Sequence, residues 1–324
     1  MRFTSSARVT RHRAPSRRAA LALATAAFWL GCASSQVDCE PSRPRPAPGL
    51  PERGISAHRG GKLGCPENTL GAFRRAICRG VQQIELDVRA TADGVLVVAH
   101  DDRVTGELGE TLRISRETLE EVRGAVLGRC EGDSESQGIS TFAEVLAIMP
   151  RNIWLNVDIK SSGPPLARLV AETVAETDRF HQVIFGSRGN ADLAVRRVAE
   201  EGETRSWIGN MNRKIFRCQY VEDAIARCDD FIQLFYLRGM PRRETVDELK
   251  SQGLRVNYSW LGQKEPTELE EELTRLFGRG IDFVLVDHVA PAMAAACRLG
   301  IEPVVPEWSG EAPFECDPSP GCQL

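Results

Sequence analysis

Val81-Gln82-Gln83-Ile84-Glu85-Leu86-Asp87-Val88 is an apolar, strand-forming run that carries two carboxylates near its end. Side chains alternate between the two faces of a strand, so Glu85 and Asp87 share one face. Three other apolar runs end in the same way. Ile55 to Ala57 leads into His58-Arg59-Gly60, Val95 to Ala99 into His100-Asp101, and Ile153 to Val157 into Asp158-Ile159-Lys160. Polar clusters at strand ends are what an α/β barrel presents at its catalytic face. Two carboxylates on one face repel unless something positive separates them. Either a hard divalent cation such as Mg2+ or Ca2+ does so, or a basic side chain does. Acids for a cation, imidazoles for protons and cations for an anion point to metal-assisted attack on a phosphate ester.

Working outward, residues 54–305 alternate short β-rich runs with amphipathic segments. Strands are expected at Ile55–Ala57, Val81–Val88, Val95–His100, Ile153–Lys160, Val183–Gly186, Thr204–Gly209, Phe231–Tyr236, Arg255–Trp260 and Phe283–Asp287. Helical stretches such as Thr69–Arg79, Leu166–Thr177 and Ala191–Glu201 separate most of them, which implies parallel strands joined by helical crossovers. The fold expected is a single-domain (β/α)8 TIM barrel. Nine runs are one more than that barrel needs, and the link from Val88 to Val95 is too short for a crossover helix. Either the chain returns there in an extended form, or one run lies outside the barrel. No Gly-rich phosphate loop favours an open nucleotide-binding sheet. Residues 101–140 are polar, with one helix expected near Glu117–Arg123, and form an excursion over the active face.

The ends of the chain differ from its middle. Residues 1–32 join an arginine-rich start to the apolar stretch Ala19 to Leu30 and then Gly31-Cys32, which reads as a signal peptide ending at a lipoprotein cysteine. Twelve apolar or small residues are too few to span a bilayer. The location expected is therefore periplasmic or cell-envelope, with membrane attachment through lipidated Cys32. Residues 33–53 are Pro-rich and read as an extended tether. Residues 306–324 form a tail with two cysteines. Six arginines and no acid lie in residues 1–31, so the rest of the chain carries a formal charge of −10 against −4 for the whole. Such a chain is ill suited to nucleic acid. Ten cysteines fit an oxidising compartment, and the absence of a CxxC pair speaks against structural zinc. Cys218 with Cys228, and Cys316 with Cys322, are near enough in sequence to pair locally.

His58-Arg59-Gly60, Pro66-Glu67-Asn68-Thr69, Glu85-Leu86-Asp87-Val88, Thr91-Ala92-Asp93-Gly94 and His100-Asp101 follow one another in the order and spacing of a known signature. They resemble the glycerophosphodiester phosphodiesterase family. The resemblance continues through Asp158-Ile159-Lys160, Trp260 and the closing strand at Asp282–Asp287. It implies a TIM barrel holding one divalent cation, Mg2+ or Ca2+, with Glu85, Asp87 and Asp158 as metal ligands. It also implies His58 and His100 as the acid/base pair, Arg59 and Lys160 on the phosphate, and Trp260 against the glycerol. Family chemistry implies attack by the substrate's own 2-hydroxyl and later hydrolysis of a cyclic phosphate, a route that needs no catalytic serine or cysteine.

Three departures stand out. The third ligand position usually holds Glu, and Asp158 is shorter by about 1.5 Å, one C–C bond. Leu261-Gly262-Gln263 replaces the usual residues after the tryptophan, and Pro291 comes late after Asp287. Asn68 and Thr69 read as a helix cap with Glu67 bracing the loop, and His288 as a loop histidine. The function expected is hydrolysis of a small glycerophosphodiester to glycerol 3-phosphate and an alcohol. The alternatives are phospholipase D-like action on lysophospholipids or sphingolipids, and a non-catalytic binding lipoprotein.

Overall fold

The computed structural model describes residues 49–62, 64–161, 163–210, 217–235, 241–261, 266–316 and 322. Eight parallel strands close into a barrel: β1 (Gly54–Ala57), β2 (Gln83–Ala90), β8 (Trp154–Ile159), β9 (Val183–Ser187), β10 (Trp207–Asn210), β11 (Phe231–Phe235), β12 (Arg255–Ser259) and β13 (Phe283–Val286). β1 pairs with both β13 and β2, which shuts the ring. The ninth run is β3 (Leu96–Val98), an antiparallel partner of β2 rather than a barrel stave. The short link is thus an extended return. It brings the chain back down beside the acidic strand, where Ala99 N–H donates to the Asp87 carbonyl.

Alternate strand residues face the helices or the lumen. Ile55, Ala57, Ile84, Leu86, Val157, Ile159 and Val284 belong to the large apolar cluster beneath the helical shell. A second cluster, Leu50, Trp154, Ile184, Trp207, Phe231 and Phe283, fills the base of the barrel. Trp154 touches Trp207 and Phe231 edge-on at 5.2 and 5.3 Å although their strands are not neighbours, so these rings meet inside the barrel. Leu50 plugs the cluster from below, and the Trp154 indole donates to the Pro51 carbonyl. The last residues assigned to the tether on composition are therefore docked on the barrel. Their proline content forbids regular structure but not a packed end.

The excursion contains two hairpins, β4 (Arg103–Thr105) with β5 (Thr111–Arg113) and β6 (Val126–Arg129) with β7 (Ser136–Gly138), besides the expected helix, Leu119–Arg123. It has its own small core of Val97, Ala99, Ile114, Val122 and Ile139. Helix Arg217–Ala226 was not anticipated, since its apolar face is thin. Disulfides join Cys65 to Cys130, Cys78 to Cys316 and Cys297 to Cys322. The expected local pair Cys316–Cys322 is thus corrected: the tail is strapped outward to two helices instead of closing on itself. Cys228 is also disulfide-bonded. Its expected partner Cys218, like Cys32 and the leader, lies outside what is described of side chains.

Candidate active site

The parallel register sets Asp87 directly beside Asp158 and Glu85 beside Asn156. Glu85, Asp87 and Asp158 are all buried, and one carboxylate oxygen from each lies within 4.8 Å of the others. Burying three like charges demands neutralisation. Lys160 Nζ lies 2.5 Å from Asp87 Oδ1 and 2.6 Å from Asp158 Oδ2. Arg188, just past β9, places one nitrogen 2.8 and 2.9 Å from the two oxygens of Asp158 and donates from the other to the Ile159 carbonyl. Arg59 Nε is 3.2 Å from Asp87 Oδ2, and the Asn68 amide donates to the same oxygen at 2.9 Å.

The loop after β1 makes this possible. Arg59 and Asn68 both take left-handed backbone conformations, φ 53° and 59°. Asn tolerates that region and Arg does not readily, so strain is held at Arg59. What the conformation achieves is visible: the Arg59 N–H donates to Glu85 Oε2 at 3.0 Å while its guanidinium turns to Asp87 and, at 2.5 Å, to Glu67. Thr69 caps helix Leu70–Cys78 as expected, accepting from Ala72 N–H. Asn68 does not cap; its side chain serves Asp87, which corrects the earlier reading.

His58 Nδ1 lies 2.6 Å from Asp287 Oδ1, and Lys62 approaches the same oxygen at 3.6 Å. A carboxylate only accepts, so Nδ1 carries the hydrogen and Nε2 is the nitrogen free to exchange a proton. His100 is set the same way by Asp101 at 2.9 Å, and its carbonyl is gripped by the Arg89 guanidinium at 2.6 and 3.0 Å. Trp260 follows the last residue of β12 and is only 3% exposed, its indole within the main apolar cluster. His288 stands at the start of helix Val289–Arg298 and makes no side-chain cap, in line with a loop histidine. Asp287 and Arg188 were missed as site residues, yet both obey the rule that polar residues closing an apolar run face the site.

Titration behaviour follows from this packing. Burial, and then repulsion from Asp87 and Asp158, pushes Glu85 well above the usual carboxylate range. Burial would raise Asp158 too, but Lys160 and Arg188 outweigh it and hold it low. Burial opposes ionisation of Asp287, and the His58 bond with the charges of His58 and Lys62 overcomes that and lowers it. Burial and then Lys160 lower His100, which favours its neutral ring. NMR titration of the His100 ring is expected to give a midpoint below the ordinary value of about 6.5; one above it would contradict this environment. The sign for stability follows. An unfolded histidine protonates first, so the His100 contribution is whole above pH about 6.5 and is lost as pH falls toward the folded value. The Asp287 contribution is present above about pH 3.9 and is lost as pH falls through its lower folded value.

The donor set fits a divalent cation. Three clustered hard oxygens suit Mg2+ or Ca2+. A proton-loving Glu85 beside two further carboxylates marks a place where added positive charge is welcome. Beside His100, a cleft of about 310 Å³ opens between the Glu67–Asn68 loop and the excursion, with Val104, Leu127 and Ile139 on its apolar wall.

A (β/α)8 barrel whose C-terminal rim joins a carboxylate trio, two imidazoles and three basic side chains belongs to the class of phosphoric ester hydrolases. Residues 58–290 match the glycerophosphoryl diester phosphodiesterase family, and the chain belongs to that family. It is 28% identical over 242 residues to a glycerophosphodiester phosphodiesterase of Caldanaerobacter subterraneus subsp. tengcongensis, covering 72% of this chain and 93% of that one. Over 139 residues it is 31% identical to the lysophospholipase D GDPD1 of Homo sapiens, covering 40% and 44% of the two chains. An Oleispira antarctica phosphodiesterase, solved with the product sn-glycerol-3-phosphate, shares the fold at a TM-score of 0.59 and 20% identity, covering 76% of this chain and 97% of that one. The chain is thus a phosphodiesterase, and the reading as a mere binding module falls away.

Proposed function

We propose that this enzyme hydrolyses glycerophosphodiesters to glycerol 3-phosphate and an alcohol, with a divalent cation and two histidines. The observation that carries the reading is the carboxylate trio on the same rim as two carboxylate-oriented imidazoles. Glu85, Asp87 and Asp158 would hold the cation, which when bound supplies charge stabilisation for the phosphoryl oxygens. Arg59 and Lys160 hold the phosphate from the protein side, while Trp260 packs in the core beneath rather than against the glycerol. His58 and His100 exchange protons through Nε2. One takes the proton of the 2-hydroxyl as it attacks phosphorus, and the other gives a proton to the departing alcohol oxygen. The roles reverse when water opens the cyclic phosphate. We place the enzyme in the cell envelope of its host, exported and attached through Cys32.

The experiment is release of glycerol 3-phosphate from glycerophosphocholine and glycerophosphoglycerol, after chelation and with Mg2+ or Ca2+ restored. Metal-dependent release is expected, and folded protein that stays silent with both cations would sink the reading. The cleft beside His100 favours a second reading, action on lysophospholipids, because its apolar wall suits an acyl chain. Including lysophosphatidylcholine in the same panel, and reading the choline that it and glycerophosphocholine both release, separates the two by their relative kcat/KM.

A further inference from the structure

The loop that positions Glu67 and Asn68 is fastened covalently to the excursion. Cys65 precedes Glu67 by two residues and Asn68 by three, and its partner Cys130 directly follows β6. Both cysteines are buried, 8% and 3% exposed, in a small cluster with Ala72. A Cβ added to Gly71 would meet Cys130 Sγ at 2.4 Å, so the sulfur lies against the first turn of helix Leu70–Cys78. The polar links across the same seam are few. Glu131 N–H donates to the Gly64 carbonyl, Gly71 N–H to the Gln137 side chain, and Arg75 to the Glu131 carbonyl. Among the described residues between Gly61 and Thr69 there is no helix or strand. Its inner side nevertheless sets Glu67 on Arg59 and Asn68 on Asp87.

We propose that the Cys65–Cys130 disulfide is a positioning element of the active site, which makes activity conditional on oxidation. This rests on the phosphodiesterase reading of the site. With the disulfide formed, the loop is held between barrel and excursion, and Asn68 and Glu67 orient Asp87 and Arg59. A dithiol reductant passes two electrons and two protons to the disulfide, leaving two thiols and becoming a disulfide itself. The loop then loses its covalent anchor while the barrel strands keep their ladder. Partners that orient metal ligands are worth 10–100-fold in metal affinity or activity when removed.

The test compares Cys65→Ala/Cys130→Ala with Cys78→Ala/Cys316→Ala, a disulfide that ties the tail far from the rim. Three quantities are read: kcat/KM on glycerophosphocholine, Mg2+ or Ca2+ affinity by calorimetry, and melting temperature. The first pair is expected to lower kcat/KM and metal affinity about 10–100-fold. The tail pair should lower only the melting temperature. Asn68→Ala added to the first pair should then cost less than it does alone, because the same contact is already loosened. Unchanged kcat/KM and metal affinity in a folded Cys65→Ala/Cys130→Ala protein would overturn the proposal, as would equal losses from both pairs. Should that variant not fold, wild-type protein is treated with dithiothreitol and the opened cysteines are mapped by alkylation over time. Activity must fall with opening of Cys65–Cys130; a fall that tracks Cys297–Cys322 instead refutes it. If wild type turns over no phosphodiester, the function reading fails and metal affinity alone still decides the disulfide's role.

Discussion

His58→Ala is expected to lower kcat by 10²–10⁴ while leaving circular dichroism and melting behaviour close to wild type, and His100→Ala to do the same. Each ring is fixed by a single carboxylate, Asp287 for His58 and Asp101 for His100. Neither is a structural keystone, because the carboxylate trio finds its counter-charges in Lys160, Arg188 and Arg59 instead. Asp287→Asn gives a finer test. An amide also has hydrogens to donate, so it no longer dictates which ring nitrogen carries the proton, and kcat should fall with little change in KM. Turnover near wild type in His58→Ala would remove the acid/base pair from the mechanism.

Trp154→Ala is expected to do the opposite, lowering stability by about 3–5 kcal/mol and leaving the catalytic rate of the folded fraction unchanged. Trp154 is wholly buried, packs edge-on against two rings inside the lumen and ties Pro51 to the base through its indole N–H. Its loss leaves a large cavity and an unpaired carbonyl, at the end of the barrel remote from the chemistry. Urea unfolding checks this through a lower midpoint at constant slope. A loss below 1 kcal/mol would show that the base repacks.

The contrast between these residues explains what could be read in advance. All eight staves were visible because buried parallel strands are apolar throughout and end abruptly at polar residues. The carboxylate trio, both histidines, Arg59 and Lys160 stood out as candidates for the same reason: their identity and spacing are local. Asp287, Arg188 and the true task of Asn68 were hidden because each acts on a residue far away in sequence, 229 positions in the case of His58 with Asp287. The hairpins of the excursion escaped notice because three-residue strands with exposed faces leave little periodicity. Disulfide pairing could not be inferred from proximity, since Cys78 and Cys316 stand 238 residues apart.

Leu50 and Pro51 bring the chain in at the base, and the carboxylates open at the opposite rim. Should Cys32 carry a lipid, the chain that leads from it to Leu50 joins the barrel at its base, so any pull from the bilayer acts on the end remote from the carboxylates. The mouth would then look away from the leaflet, toward whatever diffuses past. That posture suits capture of water-soluble headgroup fragments already released from lipids better than extraction of a lipid from the surface beneath.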